Sequence, residues 1–165
     1  MPDLISHIAF SHITTRIFEF KSKSRFGIQS RILIYLGTIL PDLLTRPIYI
    51  IFPETSDWII PFHTPIGSLI TCGLISLLFI PSFRLKAFFL ISFGTVLHFF
   101  LDSFQRHLTG GNLFLFPFSW KRVEFGLVWS DQTILFIPLW LLLVIAVETI
   151  FFDIKKSRSN RDKLL

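Results

Sequence analysis

The chain predicts an all-α fold, a polytopic membrane bundle of about five helices. Three observations carry that expectation. Hydrophobic residues fill 52% of its 165 positions and charged residues only 16%, against about 25% charged in an average soluble domain. Uncharged apolar runs long enough to approach the hydrocarbon thickness of a bilayer recur along it. Its lysines and arginines gather beside those runs rather than within them. Such a composition excludes a disordered chain and a nucleic-acid-coating tail, and the single cysteine, Cys72, excludes a disulfide scaffold. No nucleic-acid partner is expected: the net charge of +5 reads as a topology signal facing the lipid bilayer. Residues 1–154 read as one membrane-embedded domain and 155–165 as a basic cytoplasmic tail.

Leu4 to Phe20 is amphipathic, with His7, His12, Arg16 and Glu19 among apolar residues. It could span, lie in the interface or re-enter; without a basic start and a long apolar run it does not read as a secretory signal. Phe26 to Leu44 is mostly apolar, with Arg31 and Asp42 trimming its uncharged centre. Ile59 to Phe83 contains no Lys, Arg, Asp or Glu, and Pro65 and Pro81 bracket a helix within it. Leu85 to Asp102 reads as the next helix, with Pro81-Ser82-Phe83-Arg84 as the turn of an antiparallel hairpin. Thr133 to Phe152 is the clearest span, with Glu148 as its only charge; at 1.5 Å per residue, twenty residues cover about 30 Å.

If all five segments cross, Lys21, Lys23, Arg25, Arg31, Arg84, Lys86, Lys155, Lys156, Arg158, Arg161 and Lys163 fall on one side. The other side receives Arg46, Arg106, Lys121 and Arg122. The positive-inside rule makes the richer side cytoplasmic. The expected location is therefore the cell (inner) membrane, multi-pass, with the N-terminus outside and the C-terminus inside. Two long connections, Thr45–Phe62 and Ser103–Ser130, lie outside; Phe114, Phe116, Phe118, Trp120 and Trp129 in the second suit an interfacial belt.

On this topology His7, Asp42, His63, His98, Asp102 and His107 all fall near the extracytoplasmic end, although only lysines and arginines set the orientation. His98 and Asp102, four residues apart, share a helix face. One imidazole nitrogen and one carboxylate oxygen pointing the same way suit a divalent metal, and ionisable groups at membrane depth mark sites or pathways. His12 is turned about 140° from His7 and lies more than a turn deeper, so it reads as structural.

The ordered pieces resemble a known family. Met1-Pro2-Asp3-Leu4-Ile5-Ser6-His7, Leu40-Pro41-Asp42, His63-Thr64-Pro65-Ile66-Gly67-Ser68, Leu97-His98-Phe99-Phe100-Leu101-Asp102 and Phe116-Pro117-Phe118-Ser119-Trp120 are similar to the YdjM-like, membrane-bound, predicted metal-dependent hydrolases. The resemblance implies a helical membrane protein with a divalent metal site. More distantly, the order His, Asp, His, HxxxD, His is similar to that of zinc-dependent phospholipase C and related single-strand nucleases. Here the match stops at His107, after which no histidine follows. That departure leaves one zinc held by Asp42, His63, His98 and Asp102, and a second that would use His7 and a bridging Asp102. Asp102 and Asp42 are the expected catalytic carboxylates. Arg106, Lys121 or Arg122 could pair with a substrate phosphate, and His107 could support the site.

The expected activity is metal-dependent hydrolysis of a phosphoester in a lipid-like small molecule. The alternatives are a non-catalytic protein whose polar or metal cluster holds helices together, and a small metal-ion transporter, which needs a polar path to the other face. Oligomeric state is not legible in the sequence.

Overall fold

A computed structural model describes residues 4–22, 26–106, 111–129 and 132–162. The chain is mostly helical. Helices α1 (Leu4–Ser22) and α2 (Ile28–Ile51) lead through a 3-10 turn and the four-residue α3 (Ser56–Ile59) to α4 (Pro65–Ser76). Helix α5 (Pro81–Ser103) follows, then a lobe holding two-residue strands β1 (Gln105–Arg106) and β2 (Val128–Trp129), and finally α6 (Ile137–Asp162). The strands pair in parallel, Gln105 opposite Val128. In the lobe, Gly111 takes a positive φ of 112° where its backbone crosses close over Val123, which pairs with Asn112.

Three helical stretches are long and apolar enough to cross a membrane: Ile28–Ile51, Pro81–Ser103 and Gln132–Ile154. Helix α4, at 12 residues, is shorter than the roughly 20 that a full crossing takes. The burial pattern is that of a membrane protein: large side chains such as Ile32, Leu43, Leu74, Leu85 and Leu142 face outward, while Ser11, Thr15, Thr38, Ser68 and Thr95 are buried. In lipid, apolar surface gains little from facing another helix, so close contact between small and polar residues holds helices together. Gly37 and Gly94 show how. A Cβ on Gly37 would run into the carbonyl of Ile91, and one on Gly94 into the carbonyl of Ile34. Helices α2 and α5 therefore cross backbone to backbone, with Leu33, Leu40, Cys72, Ala87 and Ile91 filling the core beside them.

Three sequence expectations change. The turn between α4 and α5 lies at 77–80, and Pro81 begins α5 instead of closing the hairpin; proline suits a first helical turn, where no N–H is needed. Helix α2 does not stop at Leu44 but runs to Ile51 through Pro41 and Pro47, so Asp42 lies inside a helix rather than at its end. Helix α6 continues past residue 154 to Asp162, so the basic tail begins as helix.

A second polar network closes the bundle at the opposite end. Glu148 of α6 accepts from the Arg16 guanidinium and lies 2.7 Å from His12, whose other ring nitrogen meets the Tyr35 hydroxyl at 2.6 Å. Glu19 accepts from Arg16, Arg31 and the Phe26 N–H. His12 is thus spent on tying α1 to α2 and α6, the structural role expected of it.

Candidate metal centre

Each cluster residue is delivered by a different piece of local physics. His7 sits on the inward face of α1. Asp42 lies on α2, one turn before Arg46, whose Nε donates to Asp42 Oδ1 at 2.9 Å. His63 ends the 3-10 turn Ile60–His63. Its position is fixed by the residues that follow. Thr64 caps α4 by accepting from the Gly67 N–H and donates to the Pro61 carbonyl at 2.7 Å. Ser68 donates to the Phe62 carbonyl, and Gly67 lets the Pro61 carbonyl approach where any Cβ would collide. Thr64, Gly67 and Ser68 thus fold the turn back on itself. His98 and Asp102 stand one above the other on α5.

These side chains converge. His63 Nε2 is 3.2 Å from Asp42 Oδ1 and 3.2 Å from His98 Nε2. Asp102 Oδ2 is 3.3 Å from His98 Nε2 and 3.7 Å from His63 Nε2. The other Asp102 oxygen, Oδ1, faces His7 Nε2 at 3.1 Å. Two overlapping groups, His7 with His98 and Asp102, and Asp42 with His63 and His98, have donor atoms within 4.8 Å of one another and could hold a metal ion.

The donor set fits a divalent ion on two further counts. Ligands about 2.0–2.2 Å from a tetrahedral centre lie roughly 3.3–3.6 Å apart, and the His63–Asp42, His63–His98, His98–Asp102 and His63–Asp102 separations of 3.2, 3.2, 3.3 and 3.7 Å scatter around that range. Asp42 Oδ2 and Asp102 Oδ2 are buried without a hydrogen-bond partner among the described residues; an unpaired carboxylate oxygen away from water is costly. The tautomer is suitable as well. His98 Nδ1 donates to the Thr38 carbonyl at 2.8 Å, leaving Nε2 as the lone-pair donor.

The cluster is closed toward the protein and open at one member: His7, His98, Asp42 and Asp102 are at most 3% exposed, His63 22%. Burial disfavours charge on His63, but the hydrogen bond to Asp42 and the nearby Asp102 carboxylate outweigh it and hold its imidazole above the ordinary histidine range.

Asp42, His7, His63, His98 and Asp102 are brought together. Arg106 donates to the Gly126 carbonyl and lies 5.3 Å over the Trp129 ring, and Lys121 and Arg122 are exposed. His107 lies outside the described residues. Arg46 and Thr38 escape a reading by residue type. Arg46 has a signal, its i+4 spacing from Asp42; Thr38 acts through its carbonyl, which every residue carries. Comparison with protein-family models, curated proteins and solved structures finds no match to this chain, and the site stands on its own geometry.

Proposed function

We propose that the protein is a membrane-bound, metal-dependent hydrolase that cleaves a phosphoester of a lipid-like molecule at the outer membrane level. One observation carries the reading: two overlapping groups that share His98, one with Asp42 and His63 and the other with His7 and Asp102, have donor atoms within 4.8 Å of one another in a buried site. Asp42, His63, His98 and Asp102 would hold a zinc ion, and His7 with the second Asp102 oxygen would complete a neighbouring position. A bound divalent ion supplies Lewis acidity and a water acidified toward neutral pH. The chain's own groups do the rest. The Thr38 carbonyl holds the His98 ring, Arg46 steadies Asp42, and Asp102 accepts a proton or hydrogen bond from the attacking water. The half-open His63 side admits substrate. The proposed orientation, N-terminus outside and C-terminus in the cytoplasm, follows the eleven-to-four division of basic residues that five crossings would give.

The transporter reading has one observation in its favour: His7, Ser11, Thr15 and Glu19 form a buried polar stripe along α1. Its hydroxyls are spoken for. Ser11 and Thr38 bond each other at 2.6 Å, and Thr15 donates to the Ser11 carbonyl, which is how small polar residues bind helices in lipid. The test is zinc content and phosphoester hydrolysis of purified protein, with His98→Ala beside wild type. Stoichiometric zinc and hydrolysis, both lost in His98→Ala, support the enzyme. Zinc without hydrolysis of long- or short-chain phosphate esters supports a structural metal, and no zinc removes the assignment.

A further inference from the structure

The lobe after α5 carries a hairpin with an exposed apolar tip. Asn112 and Val123 exchange both backbone hydrogen bonds, at 3.1 and 3.0 Å, and close the chain between them into a loop. Leu113, 4% exposed, roots that loop in the protein. Within it the Phe118 and Ser119 N–H groups both donate to the Leu115 carbonyl, at 2.8 and 3.0 Å, and the Phe116 ring meets Trp120 edge-on. These contacts define a turn, yet they leave Leu115 59%, Trp120 71% and Phe118 86% exposed. Lys121 and Arg122 follow at the neck of the hairpin, beside Val123, and are exposed too. Glu124, the only acid between positions 111 and 129, is half-buried.

The flanking helices set the height of this hairpin. Pro81–Ser103 leads into the lobe and Gln132–Ile154 leads out of it, and both are long and apolar enough to cross a membrane. A connection between two crossings starts and ends at the headgroup layer. Its irregular backbone cannot lie exposed in hydrocarbon, and a cluster of large apolar side chains is costly to leave in water. The headgroup layer meets both demands: backbone groups stay hydrated, indoles settle there, and cations find lipid phosphates. The order of residues is the one an inserted loop requires, with the apolar end foremost and the cations behind it. We propose that the hairpin from Asn112 to Val123 docks on the bilayer. Leu115 and Phe118 enter the acyl boundary, Trp120 lies among the headgroups, and the Lys121 ammonium pairs with the phosphate of an anionic phospholipid. The proposal rests on the two flanking spans and on neither the metal centre nor the hydrolase reading.

The experiment uses the full chain with Cys72→Ser and Phe118→Cys, labelled with an environment-sensitive NBD dye and placed in nanodiscs of mixed phosphatidylcholine and phosphatidylglycerol. Either lipid is supplied with acyl chains brominated near their carbonyl end, so that bromine quenches a dye at that depth. Leu115→Cys is carried in parallel and serves where Phe118→Cys fails to fold. Leu142→Cys, an exposed position within the α6 span, shows what plain lipid contact looks like. Labels at 118 and 115 should emit in the blue and be quenched by both brominated lipids, more strongly by phosphatidylglycerol at equal content. Lys121→Gln should lower that preference roughly fivefold, the share of one basic residue near the surface. Added salt should lower it as well, and the label at 142 should respond to neither change. A label at 118 that aqueous iodide quenches and brominated lipid does not puts the tip in water and overturns the proposal. A label shielded from both quenchers, in particles that light scattering shows to hold more than one copy, means that a second chain covers the tip and overturns it equally. Equal quenching by the two lipids, unchanged in Lys121→Gln, overturns the pairing of Lys121 with anionic lipid.

Discussion

Gly37→Ala is a small change that should damage both the fold and the candidate metal centre. The added methyl meets the backbone carbonyl of Ile91, which cannot swing aside as a side chain does. Ordinary contact would require α2 and α5 to part by more than about 1 Å at that point. Overpacking of this kind costs about 1–3 kcal/mol, and alanine's better helix propensity returns roughly 1 kcal/mol, so a net loss of up to about 2 kcal/mol is expected. The site suffers more. Asp42 rides on α2, while His98 and Asp102 ride on α5, and metal sites tolerate about ±0.2 Å in ligand distance. Zinc affinity should fall about 10–100-fold, as when the support of a ligand is removed. Denaturation in detergent and competition with a chromophoric chelator read the two effects. Gly73→Ala is the control, since a Cβ there meets nothing within 4 Å; it should gain about 0.5–1 kcal/mol and keep its zinc. If Gly37→Ala matches Gly73→Ala in both assays, the backbone crossing does not position the cluster.

Asp102→Asn keeps the shape but removes the charge that faces His7, His63 and His98. It should lose zinc by more than about 100-fold, beyond the range for outer contacts, with hydrolysis lost and the helical circular dichroism retained; retained zinc in elemental analysis would contradict the ligand role. Glu148→Gln should lower detergent stability by about 1 kcal/mol, a modest figure because the carboxylate is 40% exposed, and the double change with Arg16→Gln should cost less than the sum of the single changes in a thermal melt. In a Cys72→Ser background, a cysteine at position 120 should react with impermeant maleimide from outside and one at position 158 only from inside; the reverse pattern defeats the proposed orientation.

The existence of the helices was legible because uncharged runs between prolines leave lipid few other solutions. The convergence of donors was legible in part from the expectation of alternating crossings, which would return every second helix end to the same side. What composition could not show is how α2 behaves after Pro41. Read locally, Leu40-Pro41-Asp42 looks like a helix end, since proline removes a donor and strains the preceding turn. The continuation to Ile51 depends on partners from another helix, and those pairings are a tertiary property. The same holds for α5: Pro81 as a turn or as a first helical residue is decided by whether residues 77–80 close the connection before it. Arg106 meets a nearby carbonyl and an indole face, contacts that belong to the folded lobe and that residue type alone does not foretell.

Pro41 links these points. With no N–H, it cannot donate to the Gly37 carbonyl one turn earlier, and an unpaired carbonyl inside a bilayer costs several kcal/mol. Thr95 of α5 fills the gap, donating to the Gly37 oxygen at 3.0 Å. One residue on, the Thr38 oxygen takes the His98 Nδ1 proton. Both bonds need the backbones at contact distance, which Gly37 and Gly94 permit. The proline that sets Asp42 in place therefore also opens the acceptor that draws α5 in, and the contact so formed turns His98 Nε2 toward His63 and Asp102. Helix packing and the orientation of the candidate ligands are the same set of hydrogen bonds, and a change made for one acts on the other.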